Sequence, residues 1–250
     1  MNTKEKYFSG CLTGIISTCI FHPIDSLKTR LFYEKNNIGS VKSFYNGLTF
    51  NVLTCCFKSM LTFPTQEYFK DKLIEQKFSI YSSELYASIC SGLLVGFFST
   101  PINVIKLPLQ SDPNKNKIFN IIQINYKNYG LKGFYRGGVG TLLRDVTWNA
   151  IYFPLFKYLN ENHIDNKILS SISAGSIAMT ISYPFDGIRM YRQNNNKNYN
   201  FWYGFSKALN FSSPNFKCYT ISLLRVPTSM TLSHICYLYI NDYLIKNKKS

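Results

Sequence analysis

The chain has 250 residues, of which 46% are hydrophobic, 16% aromatic and only 16% charged, whereas soluble domains carry roughly 25% charged residues. Its mean hydropathy of −0.09 excludes helices that are greasy on every side; helices around an aqueous cavity reconcile the two, one face staying polar while the other meets lipid. The net charge of +15 suits anionic phospholipid heads, and no zinc spacing, recognition-helix pattern or Arg-rich arm accompanies it, so nucleic acid is not expected as a partner.

The first predicted helix, 6–32, carries Gly10, Gly14 and Pro23 in FHPIDSLKTRLF. A turn at Tyr45-Asn46-Gly47 leads into the second, 47–72, with Thr54, Cys55, Lys58, Glu67 and Lys70. The third, 81–109, holds Gly92, Gly96 and Pro101 in STPINVIKLPLQ, and the turn Tyr135-Arg136-Gly137 opens the fourth, 137–160, with Arg144, Asp145 and Lys157. The fifth, 167–193, has Gly175 and Pro184 in SYPFDGIRMYRQ, and the sixth is expected over 217–246 with Arg225. Most of these spans reach the ~20 residues a bilayer requires.

The six helices read as three copies of a two-helix unit. Nine residues before Pro23, Pro101 and Pro184 stand Gly14, Gly92 and Gly175, and five after them stand Lys28, Lys106 and Arg189. Laying Gly47 on Gly137 also lays Thr54 on Arg144 and Phe63-Pro64 on Phe153-Pro154, while Leu142-Leu143-Arg144 falls on Leu223-Leu224-Arg225. The fold class expected is therefore an all-α membrane protein: six transmembrane helices in three pseudo-symmetric repeats around a central cavity. One domain, 1–250, is divided into repeats 6–76, 80–160 and 166–246. The prolines should kink the odd-numbered helices of this series, and the pairs Gly10/Gly14 and Gly92/Gly96 permit close helix approach in lipid.

Charges in the connections are uneven. Lys115, Lys117, Lys127, Lys132 and Arg136 oppose Asp112 in one loop, and Lys197, Lys207 and Lys217 meet no acid in another. Asp71, Lys72, Glu75 and Lys77 balance on the other side, where Glu161 and Asp165 also lie. This asymmetry follows the positive-inside tendency and puts both termini opposite the basic loops. The seven cysteines show no C-x-x-C pair and read as buried small hydrophobes rather than a disulfide framework. Residues 1–8 read as neither a signal peptide nor an Arg-rich transit sequence, which leaves targeting to the helices.

These motifs resemble the mitochondrial carrier family across essentially the whole chain. The resemblance rests on Pro23-Asp25-Lys28, Pro101-Asn103-Lys106 and Pro184-Asp186-Arg189, on the two turns, and on GFYRGGVGTLLRDVTWNAIYFPLF as a carrier's fourth helix with its approach. It implies a solute transporter, not an enzyme, needing no cofactor, working as a monomer by alternating access in the mitochondrial inner membrane. A plastid or another organelle membrane stays open as the alternative. It further implies cardiolipin at the turns beside Gly47 and Gly137. A matrix-side gate is implied in which Asp25 faces Lys106, Asp186 faces Lys28, and Asn103 stands opposite Arg189 without an ion pair, with Gln110 and Gln193 as braces and Phe32 at that position in the first repeat. The cytoplasmic gate is eroded to Glu67, Lys70 and Lys157, since Asn160, Leu238 and Asn241 occupy the remaining positions.

The solute should bind between the gates, on the even-numbered helices, at Thr54, Cys55, Lys58, Arg144, Asp145 and Arg225. Adjacent charges in mid-helix are penalised by lipid and tolerated by a wet cavity; Arg144 can grip a carboxylate in forked geometry and Asp145 an ammonium, which together suit an α-amino acid. The alternative is that these two pair across helices. An Arg-acid pair in the fourth helix, short loops and the spacing from PINVIKLPLQ to LLRDV resemble S-adenosylmethionine carriers, with Thr54 and Cys55 leaving room for a bulky ligand. The excess of Lys58, Arg144 and Arg225 over Asp145 instead suits an anionic nucleotide or carboxylate, although the arginine run of adenine-nucleotide carriers is absent after Met230. Cys55, Cys56 and His234 are the candidates for an iron-supply carrier, but they read as packing residues and lack metal-site spacing, so no bound metal is expected. A non-transporting scaffold of the same fold is the remaining alternative, and no catalytic constellation is visible.

Overall fold

The computed structural model describes residues 3–32, 40–111, 118–162, 166–194, 201–209 and 216–226, with positions 228, 229, 232 and 236 beyond them. Among these the chain is built from helices and turns and forms no strand. The long helices are α1 (Thr3–Phe32), α2 (Leu48–Glu75), α3 (Ile80–Ser111), α5 (Gly138–Asn162) and α6 (Lys167–Asn194). Each agrees with its expected span to within about three residues at either end, the usual scatter of helix boundaries. Two shorter helices, α4 (Ile118–Tyr129) and α7 (Phe201–Leu209), were not anticipated. Both fall in stretches that read as loops, because neither approaches the length of a span. Their exposed Phe119, Ile124, Tyr126 and Trp202 give them an apolar outer face. The sixth expected helix starts where it should, with α8 over 216–226. Its continuation, including His234, Leu238 and Asn241, lies outside the described residues, as do Asp112, Lys115, Lys117, Asp165 and Lys197.

The burial pattern of α3 is inverted relative to a soluble helix. Ser83, Glu84, Ala87, Ser88, Ser91, Gly92, Gly96, Ser99 and Asn103 are buried, while Leu93, Leu94, Phe97 and Phe98 point outward, the two phenylalanines 50% exposed. In α6, Ser170, Ser171, Ala174, Ala178 and Ser182 are buried and Leu169, Ile177 and Ile181 exposed. Small and polar inside with large and apolar outside is what a helix facing lipid on one side and partners on the other requires. Among the described residues two helices, Ile80–Ser111 and Lys167–Gln193, are long and apolar enough to cross a membrane, with mean hydropathies of 1.6 and 1.2 over their best windows. In α1, α2 and α5 a stripe of polar residues dilutes that signal.

The helices pack as a ring in which α3 lies between α2 and α5, and α5 between α3 and α6, with α1 against α2. Helix α8 closes it: the Cys218 thiol reaches the Lys28 carbonyl of α1 at 3.4 Å, and Tyr219 meets Tyr183 of α6 edge-on at 5.2 Å. A Cβ on Gly92 would stand 2.8 Å from the Val146 Cα, and one on Gly96 3.0 Å from the Leu142 Cα, so these glycines set the distance between α3 and α5. Pro23, Pro101 and Pro184 lie inside continuous helices, and so do Pro108 and Pro154.

The two aromatic-x-Gly turns fulfil their expected role. Val41–Tyr45 and Gly130–Tyr135 form 3-10 turns, each followed by a glycine in the left-handed region, Gly47 at φ 80° and Gly137 at φ 71°. Both glycines abut the end of another helix, Gly47 against Leu109 and Gln110 of α3, Gly137 against Arg189 and Gln193 of α6. The first turn is also stapled by one face of α1. Ser26 Oγ donates to the Phe44 carbonyl at 2.7 Å, His22 Nε2 lies 3.2 Å from the Asn46 carbonyl, and the buried Arg30 donates to Ser43 and to the Gln110 carbonyl.

Candidate functional site

Inside the ring is a cavity of about 390 Å³. Its wall is contributed by α1, α2, α3, α5, α6 and α8, and it includes every expected substrate contact: Thr54, Cys55, Lys58, Arg144, Asp145 and Arg225. The expected gate residues Asp25, Lys28, Asn103, Lys106, Gln110, Asp186 and Arg189 line it too. The residues expected to bind and those expected to gate therefore line one chamber.

They also share one charge network. Asp145 accepts from Lys58 at 3.0 Å and from Arg144 Nη2 at 2.7 Å, and Arg144 Nε adds a third contact at 3.0 Å. The remaining arm of the fork, Nη1, lies 3.3 Å from Asp186. Asp186 further holds Lys28 at 2.7 Å and Arg189 at 2.8 Å. An unbroken chain of ion pairs thus runs from α2 through α5 and α6 to α1. Low-dielectric walls strengthen each contact, but the same walls make any unpaired member expensive.

Of the expected gate pairs, Asp186 with Lys28 is present. Asp25 is not held by Lys106: its carboxylate is taken by Arg225 of α8 at 3.0 Å. Lys106 instead donates to the Asn51 amide oxygen, and Asn51 is fixed from behind by His22 Nδ1 at 3.0 Å. That relay, with His22 wholly buried, gives Lys106 a built-in acceptor and frees Asp25 for the arginine. Arg189 pairs with Asp186 of its own helix at 2.8 Å, and Asn103 offers it no charge for an ion pair. Gln193 reaches Thr141 at 3.4 Å rather than a gate ion pair, and the side-chain nitrogen of Gln110 meets no partner; neither amide braces a bridge.

Arg144 and Asp145 do pair, but as chain neighbours; the bonds across helices run from Lys58 to Asp145 and from Arg144 to Asp186. The fork places Arg144 between two carboxylates, and this was not legible in the spacing. Thr54 spends its hydroxyl on the Phe50 carbonyl of its own helix at 2.6 Å. Trp148, one turn beyond Arg144, also lines the cavity and begins an aromatic ladder with Tyr152 and Phe156, centroids 5.7 and 6.0 Å apart and nearly parallel. Its helical spacing from Arg144 was the available signal.

The residues expected at the other gate lie outside the cavity wall. Lys70 pairs with Glu84 of α3 at 2.8 Å, Gln66 donates to the same carboxylate at 2.8 Å, and Lys157 stands 5.9 Å over the Tyr81 ring. Glu84, overlooked in the sequence, is the acid of that level. Glu67 is exposed on α2. Among the described residues no group of three or more His, Cys, Asp or Glu is placed to hold a metal.

Residues 79–167 match the family model described as mitochondrial carrier protein. The chain is 27% identical over 218 residues to mitochondrial substrate carrier family protein X of Dictyostelium discoideum, covering 74% of this chain and 71% of that one. It is 26% identical over 218 residues to the mitochondrial aspartate-glutamate transporter AGC1 of Saccharomyces cerevisiae, covering 72% of this chain and 24% of the yeast protein. It is 24% identical over 203 residues to the mitochondrial arginine transporter BAC1 of Arabidopsis thaliana, covering 67% of this chain and 63% of the plant protein. The chain thus spans less than two thirds of the yeast and plant relatives. Among the described residues the chain is a ring of helices around a charged cavity. Its sequence similarity is to mitochondrial carriers, extending to relatives named for amino-acid transport.

Proposed function

We propose that this protein is a transmembrane transporter of the mitochondrial carrier type, with six spanning helices in three repeats, 6–76, 80–160 and 166–246. It moves an amino-acid solute by alternating access in the mitochondrial inner membrane. The observation that carries this reading is the Lys58–Asp145–Arg144–Asp186 chain across the cavity. A solute carboxylate presented to Arg144 competes with Asp186 for the guanidinium, and a solute ammonium competes with Lys58 for Asp145. Binding then exchanges internal ion pairs for ligand contacts and loosens the link from α5 to α6, so that solute affinity differs between the two gate states.

Charge selects among amino acids. The described wall carries six bases, Lys28, Lys58, Lys106, Arg144, Arg189 and Arg225, against three acids, Asp25, Asp145 and Asp186. That excess favours an acidic amino acid over a cation, and the aspartate-glutamate transporter among the relatives agrees with it. S-adenosylmethionine is the second reading, favoured by Trp148, whose ring offers a stacking surface beside the amino-acid contacts. The turns at Gly47 and Gly137 are the places where an anionic lipid such as cardiolipin would dock.

The test is uptake into liposomes by the purified chain, with labelled glutamate, aspartate and S-adenosylmethionine and with Arg144→Ala and Asp145→Ala as controls. Saturable glutamate or aspartate uptake lost in both variants supports the reading. S-adenosylmethionine uptake alone moves the assignment to the second reading. Absence of uptake for every solute, with the protein folded and inserted, refutes transport and supports the scaffold alternative.

A further inference from the structure

The helices bearing Pro23, Pro101 and Pro184 carry equivalent triplets: Asp25, Lys28 and Phe32 on α1; Asn103, Lys106 and Gln110 on α3; Asp186, Arg189 and Gln193 on α6. Two triplets contain an acid. The α3 triplet contains none, and its members recur at i, i+3 and i+7 on one face of the helix. All three of them line the cavity. Asn103 is 1% and Gln110 2% exposed, and their amide nitrogens, Nδ2 and Nε2, are buried without a hydrogen-bond partner. Lys106 makes no ion pair among the described residues; its ammonium reaches the neutral Asn51 amide.

Orphaned buried donors are rare in folded chains, and each calls for an explanation such as a bound group. Here two of them flank a lysine in a cavity where bases outnumber acids. The other two cavity carboxylates of this level are already engaged, Asp25 with Arg225 and Asp186 with Lys28, Arg144 and Arg189. No carboxylate of the described residues makes an ion pair with Lys106.

We propose that Asn103, Lys106 and Gln110 form an oxyanion subsite that takes a carboxylate or phosphate group from solution. The bound group stands in for the acid that α1 and α6 carry at this level. An ammonium flanked by two amide donors can serve the several lone pairs of a small oxyanion, and charge-assisted hydrogen bonds of this type are roughly twice as strong as neutral ones. The subsite is distinct from Arg144 and Asp145. It rests on the transport reading and deepens it: an acidic amino acid would place its backbone groups on α5 and its side-chain carboxylate on α3. A free inorganic anion meets the same chemistry.

The experiment is a thermal-shift titration of the purified full chain in lipid nanodiscs, with inorganic phosphate as one probe and L-glutamate as the other. Wild type is compared with Asn103→Asp, which installs a fixed carboxylate at the subsite, and with Lys106→Gln, which removes the charge. Saturable stabilisation of wild type by phosphate, weakened at least about tenfold in apparent affinity in both variants, supports the subsite as a general oxyanion site; that factor corresponds to about 1.4 kcal/mol. Stabilisation by glutamate alone, weakened likewise, supports it as the seat of the solute's own carboxylate. Equal apparent affinity in wild type and Asn103→Asp, or no stabilisation by either anion, overturns it. Arg144→Ala separates the two readings: phosphate stabilisation that survives in it while uptake is lost shows that subsite and transport contact fail independently.

Discussion

Asp186 receives three bases, Lys28 at 2.7 Å, Arg189 at 2.8 Å and Arg144 at 3.3 Å, and its side chain is 12% exposed. Replacing it by asparagine removes a negative charge shared by three cations while leaving the volume unchanged. Removing one partner from a buried ion pair is destabilising by about 3–5 kcal/mol, because the surviving charge stays desolvated. For a chain of this size about 2–4 °C of Tm corresponds to 1 kcal/mol, so Asp186→Asn should lower Tm by roughly 6–20 °C. Among the described residues Asp25 has one ion-pair partner, Arg225, with side chains 22% and 28% exposed, and solvent screening limits such a pair to about 1 kcal/mol or less. Asp25→Asn should therefore lower Tm by no more than about 2–4 °C. The assay is thermal unfolding in detergent read by the loss of helical circular dichroism. Equal shifts for the two variants would refute the idea that Asp186 is the hub of the network.

Arg144→Lys keeps the charge but cannot span Asp145 and Asp186 at once; solute uptake should fall at least about tenfold in apparent affinity, equivalent to about 1.4 kcal/mol, and undiminished uptake would remove Arg144 from the site. Gly92→Ala places a methyl 2.8 Å from the Val146 Cα; overpacking of this kind is destabilising by about 1–3 kcal/mol, and a Tm equal to wild type would mean that α3 and α5 separate freely. Glu84→Gln leaves Lys70 without its carboxylate and weakens the Gln66 contact; a lower Tm and faster hydrogen exchange in α2 and the first turns of α3 are expected, and unchanged exchange would show that this pair does not hold the two helices.

Much of the scaffold was written locally. Proline, glycine and base recur in register at Pro23, Pro101 and Pro184, and each long helix began and ended within a few residues of where the apolar runs and turn glycines put it. The turns Tyr45-Asn46-Gly47 and Tyr135-Arg136-Gly137 are short-range motifs and were readable without the rest of the molecule, whereas the left-handed conformation of their glycines came from the structure. The short helices α4 and α7, of 12 and 9 residues, escaped because neither registers as a span.

The sequence by itself determined which residues are charged in mid-helix, and hence that Lys58, Arg144, Asp145, Asp186 and their neighbours must share a polar interior. Only the tertiary structure decided who pairs with whom. Asp25 went to Arg225 rather than Lys106, because His22 and Asn51 give Lys106 a neutral acceptor of its own. Arg144 bridged two acids because its position on α5 sets the fork between a chain neighbour and a residue 42 positions away on α6. Partner choice among several like-charged groups depends on differences of an ångström or two in side-chain placement, and those are fixed by packing around the ring rather than by any spacing along the chain.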